Sequence, residues 1–288
     1  MPKTARSMRN FVAATLAFAC ISNPVHAQPM DSTIRAVDNN GLTYADLVDL
    51  SLPARVVVRA VITRQENLAP ELNAGVAPGR VRLLLTAQTQ SLLVGPDVSP
   101  MLQFLADVPL DARGKAPKLK KQIVLLLGVP VTGRPDMIKL VAPDAMLPWS
   151  PELETRVRPI LTELVNPALP PRVTGVREAM HVPGNLAGEG ETQVFLATPD
   201  GKPGAISIVR RPGEPTVWGV SFSEIVDQSA RPPRPDTMAW YRLACGLPAS
   251  LPPRSLISGT PEDRRIAAED YAQVMRDLGR CTRTRNSR

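Results

Sequence analysis

Proline constrains this chain more than any other residue: 31 of its 288 residues are proline, about twice the usual share. Each proline fixes φ and removes a backbone donor, so it tends to end a helix or to confine a strand to an edge. A chain punctuated this often must be built from many short elements joined by stiff loops. Its 43% hydrophobic residues are still enough for a real core.

The first 27 residues have the three parts that export requires. Lys3, Arg6 and Arg9 form a positive region with no acidic residue before Asp31, and the apolar run from Phe11 to Ile21 follows. Val25-His26-Ala27 then gives a small-x-small cleavage pattern. The apolar run is too short for a hydrocarbon core that needs ~20 residues. Lipidation at Cys20 is disfavoured by the bulky Phe18 in Ala17-Phe18-Ala19. Cleavage after Ala27 removes three basic residues and lowers the formal charge from +7 to +4, so much of the basic character belongs to the leader. The mature part is expected in the periplasm or outside the cell. No later segment is apolar for long enough to form a transmembrane helix.

Export also sets the cysteine chemistry. Losing Cys20 leaves Cys245 and Cys281, which in an oxidising compartment read as one disulfide. No Cys-x-x-Cys spacing marks a redox-active pair.

Period-two patterns rich in β-branched residues predict five strands at Arg55–Thr63, Arg80–Gln90, Leu102–Val108, Gln122–Val129 and Met137–Val141. They are read as an antiparallel barrel or sandwich occupying about 41–149. Ser150-Pro151-Glu152 starts a helix, which Pro159 is expected to kink or split. Four further strands at Arg172–His181, Thr192–Thr198, Ala205–Arg210 and Thr216–Phe222 predict an antiparallel meander in a second part, 150–288. Helices at Asp236–Cys245, capped by Asp236, and at Thr260–Leu278 pack against it, with Trp218, Trp240 and Tyr241 as core anchors. The tail from Thr282 to Arg288 reads as frayed and basic. The fold class is therefore α+β.

The run from VVVRAVI to KLKKQIVLLLGVPV resembles the β-domain of bacterial exported proteins with an oligonucleotide/oligosaccharide-binding-like (OB-like) barrel, a likeness of strand pattern alone. HVPGNLAGEGETQVFLATPDG, WGVSFSEIVDQ and AWYRLACGLP resemble an uncharacterised family of exported proteobacterial proteins. That resemblance implies export and carries no activity, cofactor or catalytic residue.

His26 leaves with the leader, so His181 is the only histidine of the mature chain. This excludes the usual zinc sites of two or three histidines, and no metal or cofactor is expected. A histidine-based hydrolase would have to pair His181 with Ser221, in the incomplete elbow Gly219-Val220-Ser221-Phe222-Ser223, or with a carboxylate. Glu189, Glu191, Glu224 and Asp227 show no spacing that selects a glycosidase pair, and aromatics at 4% count against a sugar groove or nucleic-acid stacking. The loop containing Gly184, Asn185, Gly188, Glu189, Gly190 and Glu191 is the most distinctive segment. It runs into a strand, so it does not suit a phosphate loop, and it reads as a wide connection or a partner-binding loop. Arg113, Lys115, Lys118, Lys120 and Lys121 read as a charged loop shielding a sheet edge rather than an anion patch. The leading expectation is a non-catalytic module that binds an envelope protein or ligand. The alternatives are a His181 hydrolase and an assembly protein that pairs through a β-edge.

Overall fold

The computed structural model describes residues 41–223 and 231–285. The expected leader, with Cys20 and His26, lies outside the described residues, as do Glu224 and Asp227.

Strands β1 (Val56–Asn67), β2 (Arg80–Val94), β3 (Met101–Pro109), β4 (Ile123–Val131) and β5 (Arg134–Leu140) follow each other in the chain. They hydrogen-bond in the order β1-β2-β3-β5-β4, and β1 also pairs with β4, which closes a five-stranded OB-like barrel. Alternation fills it. Val58, Ala60 and Ile62 of β1, Leu83, Leu85 and Ala87 of β2, and Leu102, Phe104 and Ala106 of β3 are all at most 2% exposed. One pairing departs from the expectation of an all-antiparallel barrel: β3 and β5 run parallel and meet at Gln103 and Met137. The β4–β5 hairpin inserts β5 between β3 and β4, so β5 has the direction of β3. A short sixth strand, β6 (Met146–Pro148), pairs with β4 and was not foreseen.

Helix α1 (Tyr44–Ser51) was also not foreseen, and precedes the barrel. Thr43 caps it and Asp46 returns the bond, a capping box that places Leu47, Val48 and Leu50 in the core. Helix α2 (Pro151–Leu164) begins at the expected Ser150 cap and continues through Pro159 without a break. Burial of Leu153, Val157, Ile160 and Leu161 offsets the proline, since four such side chains contribute more than the ~3 kcal/mol penalty. Glu154 ties α2 to the barrel. It accepts from Trp149 Nε1 at 2.6 Å and from Arg59 of β1 at 3.3 Å, and the Arg59 guanidinium stacks over Trp149.

The second sheet is the expected meander, ordered β10-β9-β8-β7 from strands β7 (Gly175–Pro183), β8 (Gly190–Ala197), β9 (Ala205–Arg210) and β10 (Val217–Ser221). Helix α4 (Pro261–Leu278) packs against β7 and β8 with Ala267, Tyr271, Val274 and Leu278 buried. Helix α3 (Met238–Ala244) is capped by Thr237, one residue after the expected Asp236. Asp236 instead takes a left-handed turn at φ +56° that lets Thr237 reach the Trp240 amide. Trp240, Trp218 and Tyr241 are buried. Trp240 meets Tyr44 of α1 edge to face at 6.1 Å, so α3 joins the meander's helices to α1.

Cys245 and Cys281 form the disulfide, closing a loop of 36 residues. On the chain-entropy account such a loop contributes about 3 to 4 kcal/mol. Beyond Cys281 the chain is held rather than frayed, correcting the expectation for Thr282 to Arg285. The amides of Thr284 and Arg285 donate to the Asp46 carboxylate at 2.9 and 3.2 Å. Arg283 pairs with Asp49, and Arg285 with Asp144. The basic residues find acids that lie far away in sequence.

Candidate functional site

His181 sits near the end of β7 and is 6% exposed. It pairs across the sheet with Thr192 of β8, and its Nδ1 lies 2.9 Å from the Thr192 hydroxyl. That hydroxyl donates its single proton to Asp270 of α4 at 2.5 Å, so the Nδ1 position must carry the proton donated to Thr192. The other oxygen of Asp270 accepts from Arg210 of β9, with Nε and Nη2 both at 2.6 Å. His181, Thr192, Asp270 and Arg210 thus form one polar chain through the packed face between the meander and α4. Period-two alternation puts His181, Thr192 and Arg210 on the same sheet face, and the helical period turns Asp270, 1% exposed, toward it.

The structure does not bring His181 to Ser221. They stand on the two outer strands of the meander, with β8 and β9 between them, a separation of at least about 14 Å. The Ser221 hydroxyl is instead 2.9 Å from that of Ser223.

The glycine-rich loop is a compact connection between β7 and β8. Glu189 builds it: its carboxylate accepts from the amides of Asn185 and Leu186 at 3.1 and 3.2 Å. Its own amide bonds the Leu186 carbonyl, and its carbonyl accepts from Gly184. Gly184 leaves room for the Glu189 side chain, which lies where a Cβ would be. Gly190 serves the histidine. A Cβ there would stand 2.5 Å from His181 Cε1 and 2.9 Å from the Val182 carbonyl oxygen. Gly188 takes φ +82°, and Asn185 is exposed with Leu186 at the tip. Glu191 faces the opposite side of the sheet, where it bonds Gln193 and borders a cleft of about 600 Å³ beside β9 and β10.

The tight seat of His181 has a measurable consequence. Gly190→Ala is expected to destabilise the protein by about 1 to 3 kcal/mol, because the new methyl meets both a ring and a backbone oxygen. Thermal melts of Gly190→Ala and of Gly190→Ala/His181→Ala test this: the double variant should lose less than the sum of the two singles.

Sequence reasoning singled out His181 and the loop but not Thr192, Arg210 or Asp270. Each is an ordinary polar residue in its own segment, and only alternation at His181, Thr192 and Arg210 hinted at a shared face. Among the described residues, no three His, Cys, Asp or Glu side chains converge as metal ligands, and no helix is long and apolar enough to cross a membrane.

No protein-family model matches the chain, and no curated protein is significantly similar to it.

Proposed function

We propose that this chain is an exported, non-catalytic module that binds another envelope component through the tip of the β7–β8 loop. The observation that carries this reading is the combination of internal order and apolar exposure at that tip. Four hydrogen bonds of the loop run to or from Glu189, yet Leu186 at the tip is 62% exposed and Val182, at the end of β7 beside it, 52%. A loop that is already ordered loses little conformational freedom when a partner covers it, so its apolar area converts efficiently into affinity. The polar chain beneath it gives His181 a structural task, holding the end of β7 that carries the loop to β8 and α4.

The test is site-specific photo-crosslinking in envelope extract, with the reactive side chain at position 186 and, as a control, at the exposed Ile257. A discrete adduct is expected at 186 and not at 257. Leu186→Asp should abolish capture by a crosslinker moved to 182 without changing the melting temperature. Equal labelling at 186 and 257, or capture indifferent to Leu186→Asp, would sink the proposal.

A further inference from the structure

We propose that the groove between the end of β1 and the β3–β4 connection is a binding site for phosphate-bearing anions. This surface belongs to the barrel, and the inference does not depend on the loop at 184–189. Thr63, Arg64, Gln65 and Asn67 of β1 line one wall of a cavity of about 560 Å³, and Lys118, Lys120 and Lys121 line the other. Arg64 already pairs with Glu66 at 2.8 Å. The three lysines have no acidic partner among the described residues, so three like charges stand around one concavity. Unpaired cations in a concave surface focus positive potential, and the compact ammonium is well suited to phosphate.

The lysines are held in place by the backbone. Gln65 donates through Nε2 to the Pro117 carbonyl at 2.9 Å and accepts from the Leu119 amide at 3.0 Å. The Lys121 amide bonds Ile62 O at 2.8 Å, and the Ile62 amide bonds Gln122 O at 3.0 Å. These bonds already cover the edge of β1, so shielding that edge does not require the lysine charges. Arg113 and Lys115 do not line the cavity, although the same connection carries them. Lys121 also has φ +72°, left-handed backbone that a lysine adopts at a cost and a glycine would not. The position keeps a charged side chain at the groove where stability alone favours glycine. An unfavourable conformation combined with uncompensated charge is the kind of local conflict that functional sites retain.

The Thr63 hydroxyl proton is taken by the Thr86 carbonyl at 3.1 Å, but Asn67 and the second Nε2 proton of Gln65 add neutral donors beside the cations, which suits phosphate oxygens. The phosphate can reach the groove on a small soluble ester or on an anionic lipid headgroup, and the two sources are separable.

The experiment titrates the purified chain with pyrophosphate by calorimetry in low salt. In parallel it measures cosedimentation with phosphatidylglycerol vesicles against phosphatidylcholine vesicles. Binding to pyrophosphate alone assigns a soluble ligand, and binding that extends to phosphatidylglycerol vesicles assigns the headgroup. In either case Lys118→Ala/Lys120→Ala should weaken binding at least about tenfold, and higher salt should weaken it further. Arg113→Ala/Lys115→Ala, outside the groove, should leave it nearly unchanged. Lys121→Gly should weaken binding while raising the melting temperature, a pairing that a merely structural lysine would not produce. Absence of binding to both probes overturns the proposal, as does equal loss in the groove and control variants.

Discussion

Asp270→Ala is expected to cost about 3 to 4 kcal/mol, one of the largest losses for a single substitution in this protein. The carboxylate is 1% exposed and accepts from both the Thr192 hydroxyl and the two Arg210 nitrogens Nε and Nη2. Removing it leaves Arg210 without its buried partner and leaves the Thr192 proton only His181 Nδ1 to turn to, at 2.9 Å, which requires the imidazole to change tautomer. Breaking a buried charge pair from one side typically costs about 3 to 5 kcal/mol. The Arg210 side chain is 29% exposed and can turn toward water or the more distant Glu269, which places the expected value at the lower end. Urea unfolding followed by far-ultraviolet circular dichroism checks the magnitude. A double-mutant cycle with His181→Gln checks the chain: the two losses should overlap by at least about 0.5 kcal/mol, because both act through Thr192. Additive losses would mean that His181 and Asp270 stabilise the fold independently, and the continuous network would be wrong.

The elements that were legible in the sequence are those whose pattern is local. β9 spans Ala205–Arg210, as its run of apolar and β-branched residues predicts. The Ser150 and Thr260 caps stand where hydroxyl, proline and acid follow one another. Both Asp-Gly and Pro-Gly turn sequences of the meander join neighbouring antiparallel strands. β6 escaped because three residues cannot display a period. The parallel approach of β5 to β3 escaped because a strand's sequence carries its alternation but not its neighbour. Helix α1 was within reach, since Thr43 and Asp46 have capping-box spacing ahead of Leu47 and Val48, but its eight residues give little more than two turns of periodicity.

The same contrast explains which site residues were found. His181 attracts notice because it is alone, and the 184–191 segment because of its glycines. Asp270 is drawn into the site from 78 residues beyond Thr192 and 60 beyond Arg210. Nothing in its own helix distinguishes it from solvated acids such as Glu262 or Glu269, which pair with Arg265 at the surface. The polar character of a residue is local information, whereas its burial depends on the partner surface. The C-terminal tail shows this most clearly, because a stretch rich in arginine reads as solvated until the acids that receive it are known.

That tail sets the second large effect. Asp46→Ala is expected to destabilise the protein by about 3 kcal/mol and to release residues 282–285 from α1. The buried carboxylate accepts from the amides of Thr43, Thr284 and Arg285, and the Thr284 hydroxyl lies 2.7 Å away. The Thr284 and Arg285 amides are also the clasp between the first helix and the last described residues, 238 and 239 positions apart. Truncation would strand them until the tail peels into water, so the loss is bounded by the free energy of docking rather than by the sum of the bonds. Burial by itself would raise the Asp46 pKa, but the hydrogen bonds from Thr284, Thr43 and Arg285 outweigh it and hold the carboxyl below its usual range. A group depressed in the folded state stabilises above its unfolded pKa, about 4, and loses that contribution as pH falls through the folded value. Stability of the wild-type chain should therefore decline below about pH 4. Asp144 beside Arg285 and Glu154 beside Trp149 are depressed as well and contribute with the same sign. In Asp46→Ala the decline should be shallower but still present, carried by Glu154, because release of the tail takes Arg285 away from Asp144. Limited proteolysis at neutral pH supplies the structural readout: the variant should be cut after Arg283 or Arg285 under conditions that leave the wild type intact, while the disulfide retains Cys281. A variant with unchanged acid dependence and a protected tail would show that Asp46 does not hold the C-terminal segment.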